Sequence, residues 1–326
     1  MRAVVLEQYG GPEVLTLRDV PDLEPGRNEA RVAVAATALN RADLLQRVGK
    51  YPPPGPKPEF EIPGLEFAGT VEKVGPEVAG WKPGDRVFGL LAGGGYAEQV
   101  VTHERLLMRV PDGLRIEEAA AIPEAYFTAF DALTEKGVFR PGDAVLVHAG
   151  GSGVGTAAIQ LARLMGAGRI FATTRTPKKA PRLGDVGADR PIVGDFAEIV
   201  TQETGGRGAD VILDFVGAPY LEENLAAAAL EARIVVISFL GGSHANLPLS
   251  EMLRKRLRLV GTTLRTRPVE QKMALTQRFA REVLPAIAAG RVRPVIDRAF
   301  RLDEIAEAHR YMEANRNFGK IVIAIR

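Results

Sequence analysis

The chain has 326 residues, too many for one ordinary hydrophobic core, so two domains are the natural expectation. Apolar residues make up 46% and charged residues 25%, and the formal charge of +2 gives no electrostatic case for nucleic acid or an anionic membrane. The absence of cysteine excludes disulfides, thiolate metal sites and a cysteine nucleophile, and makes the cytoplasm the expected location. No apolar run approaches the roughly 20 residues that span a bilayer. The opening Met1-Arg-Ala-Val-Val-Leu6 enters a strand pattern and has neither the apolar region nor the cleavage site of a signal peptide. His103, His148, His244 and His309 are too scattered to form a ligand cluster.

Residues 1 to about 120 carry short β patterns and turn signals. Ala3–Leu6 and Val14–Leu17 flank the turn Tyr9-Gly-Gly-Pro12, and Glu29–Ala35 alternates as a half-buried strand does. Loops are expected at Pro21–Gly26 and through the proline cluster Pro52–Pro58. Gly69–Val74 and Asp85–Phe88 read as strands around a turn at Trp81–Gly84. This part reads as a small β-barrel-like unit.

From about residue 121 strand and helix alternate. Strands are expected at 145–148, 169–174, 191–193, 209–215, 232–238 and 257–262, with helices at 153–166, 195–203 and 219–230. That alternation predicts an α/β, doubly wound parallel sheet of the dinucleotide-binding kind. The segment 177–186 carries Pro177 and Pro181, so its helix should be short or broken. After residue 264 a long amphipathic helix (269–289), a strand at Pro294–Phe300, a helix with Asp303 as a plausible N-cap and a strand at Gly319–Ile323 follow. Residues 121–264 therefore read as a nucleotide domain inserted between residues 1–120 and the return segment 265–326.

The nucleotide reading rests on the stretch from Val145 to Ala162. Val145–His148 is a buried strand, a glycine run turns the chain, and Val154, Ala158, Leu161 and Ala162 recur at helical spacing. Glycine lets the backbone approach a pyrophosphate, and the free N–H groups of a helix N-terminus favour an anion. The full Gly-x-Gly-x-x-Gly is absent; read back from Gly155 at intervals of three stand Ser152 and Ala149, an Ala-x-x-Ser-x-x-Gly variant. Ser152 reads as a pyrophosphate or nicotinamide contact, a helix N-cap, or both; Gly153 and Val154 begin the helix. About 20 residues further on, where a carboxylate would bind the adenosine ribose, the chain reads Thr173-Thr174-Arg175-Thr176-Pro-Lys178-Lys179. Three cations and no acid favour a 2′-phosphate, hence NADPH over NADH, against the plainer reading of a solvated basic loop. Asp214 comes too late to be the ribose acid and suits the adenine side or structural capping.

Ile62-Pro-Gly64-Leu65-Glu66-Phe-Ala-Gly-Thr-Val71, Trp81-Lys-Pro-Gly-Asp-Arg-Val87, the glycine turn and Gly319-Lys-Ile-Val322 resemble the medium-chain dehydrogenase/reductase superfamily from end to end. Zinc members have a Gly-His-Glu where this chain has Gly64-Leu65-Glu66, and a zinc-binding cysteine near Asn40. The resemblance therefore implies a metal-free protein, since zinc needs about four N, S or O ligands. Asn40–Asp43, Tyr51–Pro54, Leu91–Ala97, Ala119–Phe130, His148–Gly150 and Tyr311–Asn315 are similar to the zinc-free quinone oxidoreductases, the zeta-crystallin-like group, and within it to the tumour-suppressor-inducible NADPH:quinone reductase subfamily.

This resemblance implies a GroES-like catalytic domain with an inserted Rossmann domain, a homodimer, and hydride transfer from NADPH to a quinone. Tyr51 becomes the expected hydrogen-bond donor to the developing quinol oxygen; otherwise it is a surface tyrosine in a proline-rich loop. Asn40 and Thr128 are implied to face the nicotinamide and quinone. Phe127 and the glycines at 93–95 would shape an apolar slot, unless Phe127 is core. Arg175, Thr176 and Lys179 would meet the 2′-phosphate, with Thr174 beside them as a further cofactor-binding residue, Phe239, Leu240, Leu264 and Thr266 would line the nicotinamide side, and Asn315 is the last residue carried over. Many relatives have glycine and serine at Arg175 and Thr176, and a tyrosine near Gly194 that this chain lacks. The basic run Arg254-Lys-Arg256 with Arg258 reads as solvated charge beside a dimer edge. The same hydride geometry also serves reduction of an enone or enoyl thioester, and the resemblance leaves open a non-catalytic NADPH-binding role, crystallin-like or RNA-binding.

Overall fold

A computed structural model of the chain describes residues 1–56 and 58–325. Lys57, within the proline-rich loop read from the sequence, lies outside the described residues. The chain divides into two compact units, one formed by Met1–Phe127 with Leu264–Arg326 and the other by Thr128–Thr263.

In the first unit the elements run β1 (Arg2–Leu6), β2 (Leu15–Asp19), β3 (Glu29–Leu39), α1 (Arg41–Arg47), β4 (Glu66–Val74), β5 (Arg86–Leu90), β6 (Gln99–His103), β7 (Leu107–Arg109), α2 (Ile116–Ala120) and α3 (Pro123–Asp131), within which the chain leaves the unit. β3 extends from Glu29 to Leu39 because its alternating part runs on into Ala36–Leu39, buried on both faces. Its first half pairs antiparallel with β4 and β6. Gly69 sits in β4 where an added Cβ would stand 2.0 Å from the Ala33 carbonyl oxygen, so only glycine lets these two strands approach as they do.

The second unit holds β8 (Ala144–Val147), α4 (Gly153–Leu164), β9 (Arg169–Thr173), α5 (Ala180–Val186), β10 (Arg190–Ile192), α6 (Ala197–Glu203), β11 (Ala209–Asp214), α7 (Leu221–Ala227), β12 (Ala228–Val236), α8 (Leu249–Lys255) and β13 (Arg258–Gly261). The sheet order β10-β9-β8-β11-β12-β13 is the doubly wound order 3-2-1-4-5-6, and every pairing is parallel. Leu146, Phe171, Ile212 and Ile234 line its core with Phe196 and Leu225. The crossover from β8 to β9 on one side and β11 on the other makes the switch point at the C-terminal end of β8.

The return to the first unit adds α9 (Val269–Glu282), α10 (Leu284–Ala288), β14 (Ile296–Arg301), α11 (Ile305–Glu313) and β15 (Lys320–Ala324). β15 pairs antiparallel with the second half of β3, so the chain's last strand closes onto its first long one. Val32, Val34, Phe67, Ile321 and Ile323 meet in one core with Ile305 and Met312 of α11.

Several elements differ from the sequence expectation. The helix expected over 269–289 breaks at Val283, because Pro285 cannot continue the hydrogen-bond ladder and instead sits in the first turn of α10. Asp303 is not an N-cap: a 3-10 turn (Leu302–Glu304) intervenes, and Glu304 accepts from the Arg301 N–H at 2.8 Å. α7 stops at Ala227, three residues early. Lys255 Nζ donates to the Leu225, Ala226 and Ala228 carbonyls at 2.7–2.8 Å and satisfies the helix end. Lys255 is therefore a structural cap and not solvated charge, whereas Arg254 and Arg256 pair with Glu251 and Glu231. The segment 177–186 is divided as expected, into a 3-10 turn (Pro177–Lys179) and α5.

Candidate active site

In the second unit the glycine turn joins β8 to α4. Ala149 adopts φ 45, a left-handed conformation that reverses the chain directly after the strand. A Cβ on Gly155 would lie 2.5 Å from the Ala149 carbonyl oxygen and 2.7 Å from that of Gly150, so the turn and the first turn of α4 close only around glycine. Ser152 is the N-cap of α4, its hydroxyl accepting from the Gly155 N–H at 3.0 Å. Gly153 and Val154 follow as the first residues of the helix, where backbone N–H groups have no carbonyl of their own turn to bond.

The neighbouring strand β9 ends beside this turn, with Gly150 N donating to the Thr173 carbonyl at 2.9 Å. Thr174 is buried and its hydroxyl accepts from the Thr176 N–H at 3.2 Å, which shapes the start of the basic loop. Arg175, Thr176 and Lys178 are exposed, and Lys179 is half-buried. Beyond β12, Phe239 and Leu240 are 61% and 52% exposed, an unusual state for large apolar side chains at the carboxyl end of a sheet. The structure thus brings Ser152–Val154, Thr174–Lys179 and Phe239–Leu240 to the C-terminal edge of one parallel sheet. Thr128 belongs to the same unit and is buried in α3.

Under this edge lies a buried polar chain. His148 Nδ1 is 3.0 Å from Thr173 Oγ1, its Nε2 is 2.6 Å from Asn224 Oδ1, and Asn224 Nδ2 donates to Asp214 Oδ2 at 3.1 Å. Asp214 Oδ1 in turn accepts from the Val216 and Gly217 N–H groups. Asp214 is therefore a structural cap, the second of the two roles open to it in the sequence. Burial lowers the His148 pKa to about 4, so the ring is neutral at pH 7.

In the first unit, Asn40 caps α1 and is committed to a buried ion pair. Its Nδ2 donates to Glu66 Oε1 at 2.7 Å, and its Oδ1 accepts from Lys320 Nζ at 2.6 Å. Lys320 also bonds Glu66 Oε1 at 2.7 Å and the Leu39 carbonyl at 3.1 Å. The other oxygen of Glu66 accepts from the N–H of Glu124 at 2.9 Å, in the first turn of α3. Burial first, then the Glu66 charge, raises the Glu124 pKa to about 8, so Glu124 carries a proton at neutral pH.

Asp43 completes this cluster. Its Oδ2 accepts from the Asn40 N–H at 2.8 Å and from the Tyr96 hydroxyl at 2.9 Å, and burial raises its pKa to about 6. The Tyr96 hydroxyl is also 3.4 Å from His309 Nε2. Tyr51 begins the proline-rich loop, half-buried. The guanidinium of Arg265 lies 5.0 Å from its ring centroid and donates to its carbonyl at 2.8 Å. That bond brings Tyr51 to the segment holding Leu264, which is buried, and Thr266, which is exposed.

Phe127 and Asn315 have structural partners of their own. Phe127 is fully buried with its ring 4.7 Å from that of Phe279, which makes it core. Asn315 has φ 52 directly after the last turn of α11, and its N–H donates to the Met312 carbonyl at 2.9 Å. It ends the helix in the left-handed position that glycine or asparagine fills, and its Oδ1 accepts from Arg41 at 2.9 Å. Sequence reasoning does not find Arg265, Glu124 or the Asp43–Tyr96–His309 chain. The one visible signal is an arginine between Leu264 and Thr266, which no motif explains.

Comparison with known proteins agrees with this architecture. Residues 26–112 match the alcohol dehydrogenase GroES-like domain, and residues 186–323 match the zinc-binding dehydrogenase domain. A quinone oxidoreductase of Pseudomonas aeruginosa is 35% identical over 97% of each chain. Among solved structures, an NAD-dependent alcohol dehydrogenase is 36% identical with a TM-score of 0.90, covering 100% of both chains. A mycobacterial protein complexed with NADPH is 30% identical with a TM-score of 0.90 over 100% of both. The CurK enoyl reductase is 28% identical with a TM-score of 0.88, over 100% of this chain and 99% of its own.

The donors present do not fit the zinc that one of these domain names carries. Asn40 Oδ1 and Glu66 Oε1 already converge on the chain's own ammonium, Leu65 offers no donor, and the sequence has no thiol. With both domain types matched and whole-chain relatives above 30% identity, the chain is an oxidoreductase of the medium-chain dehydrogenase/reductase family.

Proposed function

We propose that this oxidoreductase transfers a hydride from NADPH to a quinone without a metal ion. What carries the quinone reading is similarity along the whole chain to a quinone oxidoreductase, in a protein whose described residues hold no cluster of metal-ligating side chains. NADPH supplies the hydride when bound. The chain's part is to orient the reactants, to exclude water and to donate a hydrogen bond to the oxygen that gains charge.

The cofactor reading rests on the second unit. The α4 N-terminus, capped by Ser152, suits a pyrophosphate, and Arg175, Lys178 and Lys179 follow β9 where a ribose-binding carboxylate would otherwise stand. Phe239 and Leu240 offer apolar cover for a nicotinamide ring. On the acceptor side Tyr51 donates its phenolic proton to the quinone oxygen in a hydrogen bond, and protonated Glu124 is the proposed source of a proton for the quinol. The protein acts as a homodimer in which the β13 edge, carrying Leu259, pairs with that of a second copy.

The experiment is a single-turnover reduction of 1,4-benzoquinone with NADPH and with NADPH deuterated at the transferring position. A primary isotope effect with one quinol formed per NADPH is the expected result. Reduction with no isotope effect and no stoichiometric quinol would overturn direct hydride transfer.

A further inference from the structure

We propose that Arg265 is the positioning residue that fixes Tyr51 for its hydrogen bond to the acceptor. The inference rests on the reading of Tyr51 given above. Arg265 is almost fully buried, and each of its three side-chain nitrogens addresses a different stretch of chain. Nε donates to the Ala92 carbonyl at 2.8 Å, Nη1 to the Tyr51 carbonyl at 2.8 Å, and Nη2 to Gln46 Oε1 at 2.7 Å. The same guanidinium lies 5.0 Å from the Tyr51 ring centroid.

These three acceptors come from segments with little else in common. Gln46 is on α1 and is itself held, its Nε2 donating to Glu61 Oε1 at 3.0 Å. Ala92 opens the glycine loop, where Gly93 and Gly94 have φ 159 and 89. Tyr51 opens a proline-rich stretch with no strand or helix among its described residues, so no regular hydrogen-bond ladder sets its place. Arg265 ties this loop to a helix that is part of the packed core. Its own carbonyl is held by Lys272 Nζ at 2.6 Å, which anchors the arginine to α9.

Arginine suits this task for a geometric reason. A planar fork presents donors in fixed directions, so three acceptors fix its plane, and that plane fixes the ring beside it. Lysine would keep the charge as a point and lose the directions. A displacement of about 1 Å at a reacting group costs as much as ~100-fold in rate. The arginine has no proton to give at neutral pH, so its influence reaches the acceptor through Tyr51.

The test is a double-mutant cycle of Arg265→Lys and Tyr51→Phe in the full chain, with quinone-dependent NADPH oxidation as one readout. Tyr51→Phe keeps the ring and the carbonyl and removes only the hydroxyl. Arg265→Lys is expected to lower kcat for the quinone about 10-fold or more in the wild-type background. In the Tyr51→Phe background it should change kcat less than about 2-fold, with KM for NADPH unchanged in both. The second readout needs no turnover: with 3-fluorotyrosine incorporated, the Tyr51 resonance, assigned by its loss in Tyr51→Phe, should broaden or split in Arg265→Lys while the others stay put.

Equal losses from Arg265→Lys in both backgrounds, or an unmoved Tyr51 resonance, overturn the positioning role alone. A fully active Tyr51→Phe overturns the reading of Tyr51 itself. If Arg265→Lys does not fold, Gln46→Met removes one of the three acceptors and is expected to give the same pattern with a smaller loss. An additive loss from Gln46→Met, or none, counts against the proposal.

Discussion

Lys320 Nζ lies 2.7 Å from Glu66 Oε1, with the two side chains 3% and 0% exposed. The last strand of the chain thus delivers a cation to a carboxylate at the start of β4, and Asn40 Oδ1 accepts from the same ammonium. Removing one member leaves the other charge buried without its partner. Glu66→Gln or Lys320→Met alone should therefore cost about 3–5 kcal/mol of stability, and the double variant less than the sum of the two. Urea unfolding of the three variants checks this; additive losses would mean that the pair is not coupled.

The pH dependence of stability has a shape set by four groups whose pKa values desolvation shifts. Asp43 and Glu124 have pKa values raised to about 6 and about 8, so the folded state holds their protons more tightly than the unfolded chain does. Their contribution is complete below the ordinary carboxylate range and is lost as pH rises through the folded values. His148 and His309, lowered to about 4 and about 3 by burial, act in the opposite sense: their contribution is complete above the ordinary histidine value and is lost as pH falls. The two effects oppose each other between about pH 4.5 and 6, where stability should be nearly flat. Between about pH 6.5 and 8 Glu124 alone is still changing, so stability should fall by up to roughly 1–2 kcal/mol. Glu124→Gln should flatten that decline, and a decline of unchanged slope would contradict the assignment.

Cofactor preference should follow the basic loop after β9. A charge-assisted bond to phosphate is worth roughly 1.5–3 kcal/mol, or about 10- to 150-fold in affinity. Arg175→Ala with Lys178→Ala is expected to weaken NADPH binding by about that factor and to leave NADH within about 2-fold, as read by titration calorimetry. Equal weakening of both cofactors would remove the loop from the 2′-phosphate.

The proposed dimer through β13 would cover an exposed apolar surface. Leu249 and Leu253 of α8 are 72% and 81% exposed, and Leu259 on the sheet edge is 41% exposed. Leu253→Asp with Leu259→Lys should shift the mass in light scattering from two chains to one. A monomeric wild-type chain at micromolar concentration would contradict this.

The fold is legible where periodicity and glycine carry the information. The strands of the second unit are short apolar runs set apart by helix-length stretches, and β8, β9 and β11 fall within a residue or two of their expected ends. Boundaries fixed by distant side chains are not legible: α7 ends where Lys255, on another helix, takes its carbonyls. Asn315 is carried over by the resemblance alone, and its left-handed place after α11 is a conformational role that the resemblance does not give. The proposed cofactor side follows one strand–turn–helix and the loop beside it, and both can be read along the chain. The surroundings of Tyr51 cannot, since Arg265 meets Gln46, Tyr51 and Ala92, each more than 170 residues away in sequence. Nothing in the neighbourhood of residue 265 signals those partners. The resemblance has Asn40 face the reactants, and the structure adds that its amide is held by Glu66 and Lys320, two partners that local sequence does not announce.

The most direct measurement is steady-state oxidation of NADPH and of NADH with a panel of ortho- and para-quinones, an enone and an enoyl-CoA, each with and without EDTA. Turnover with quinones alone, faster with NADPH and indifferent to EDTA, is the predicted result. Turnover only with the enone or enoyl-CoA, or loss of quinone turnover on adding EDTA, would contradict a metal-free quinone reductase, and tight NADPH binding with no turnover on any acceptor would contradict catalysis altogether.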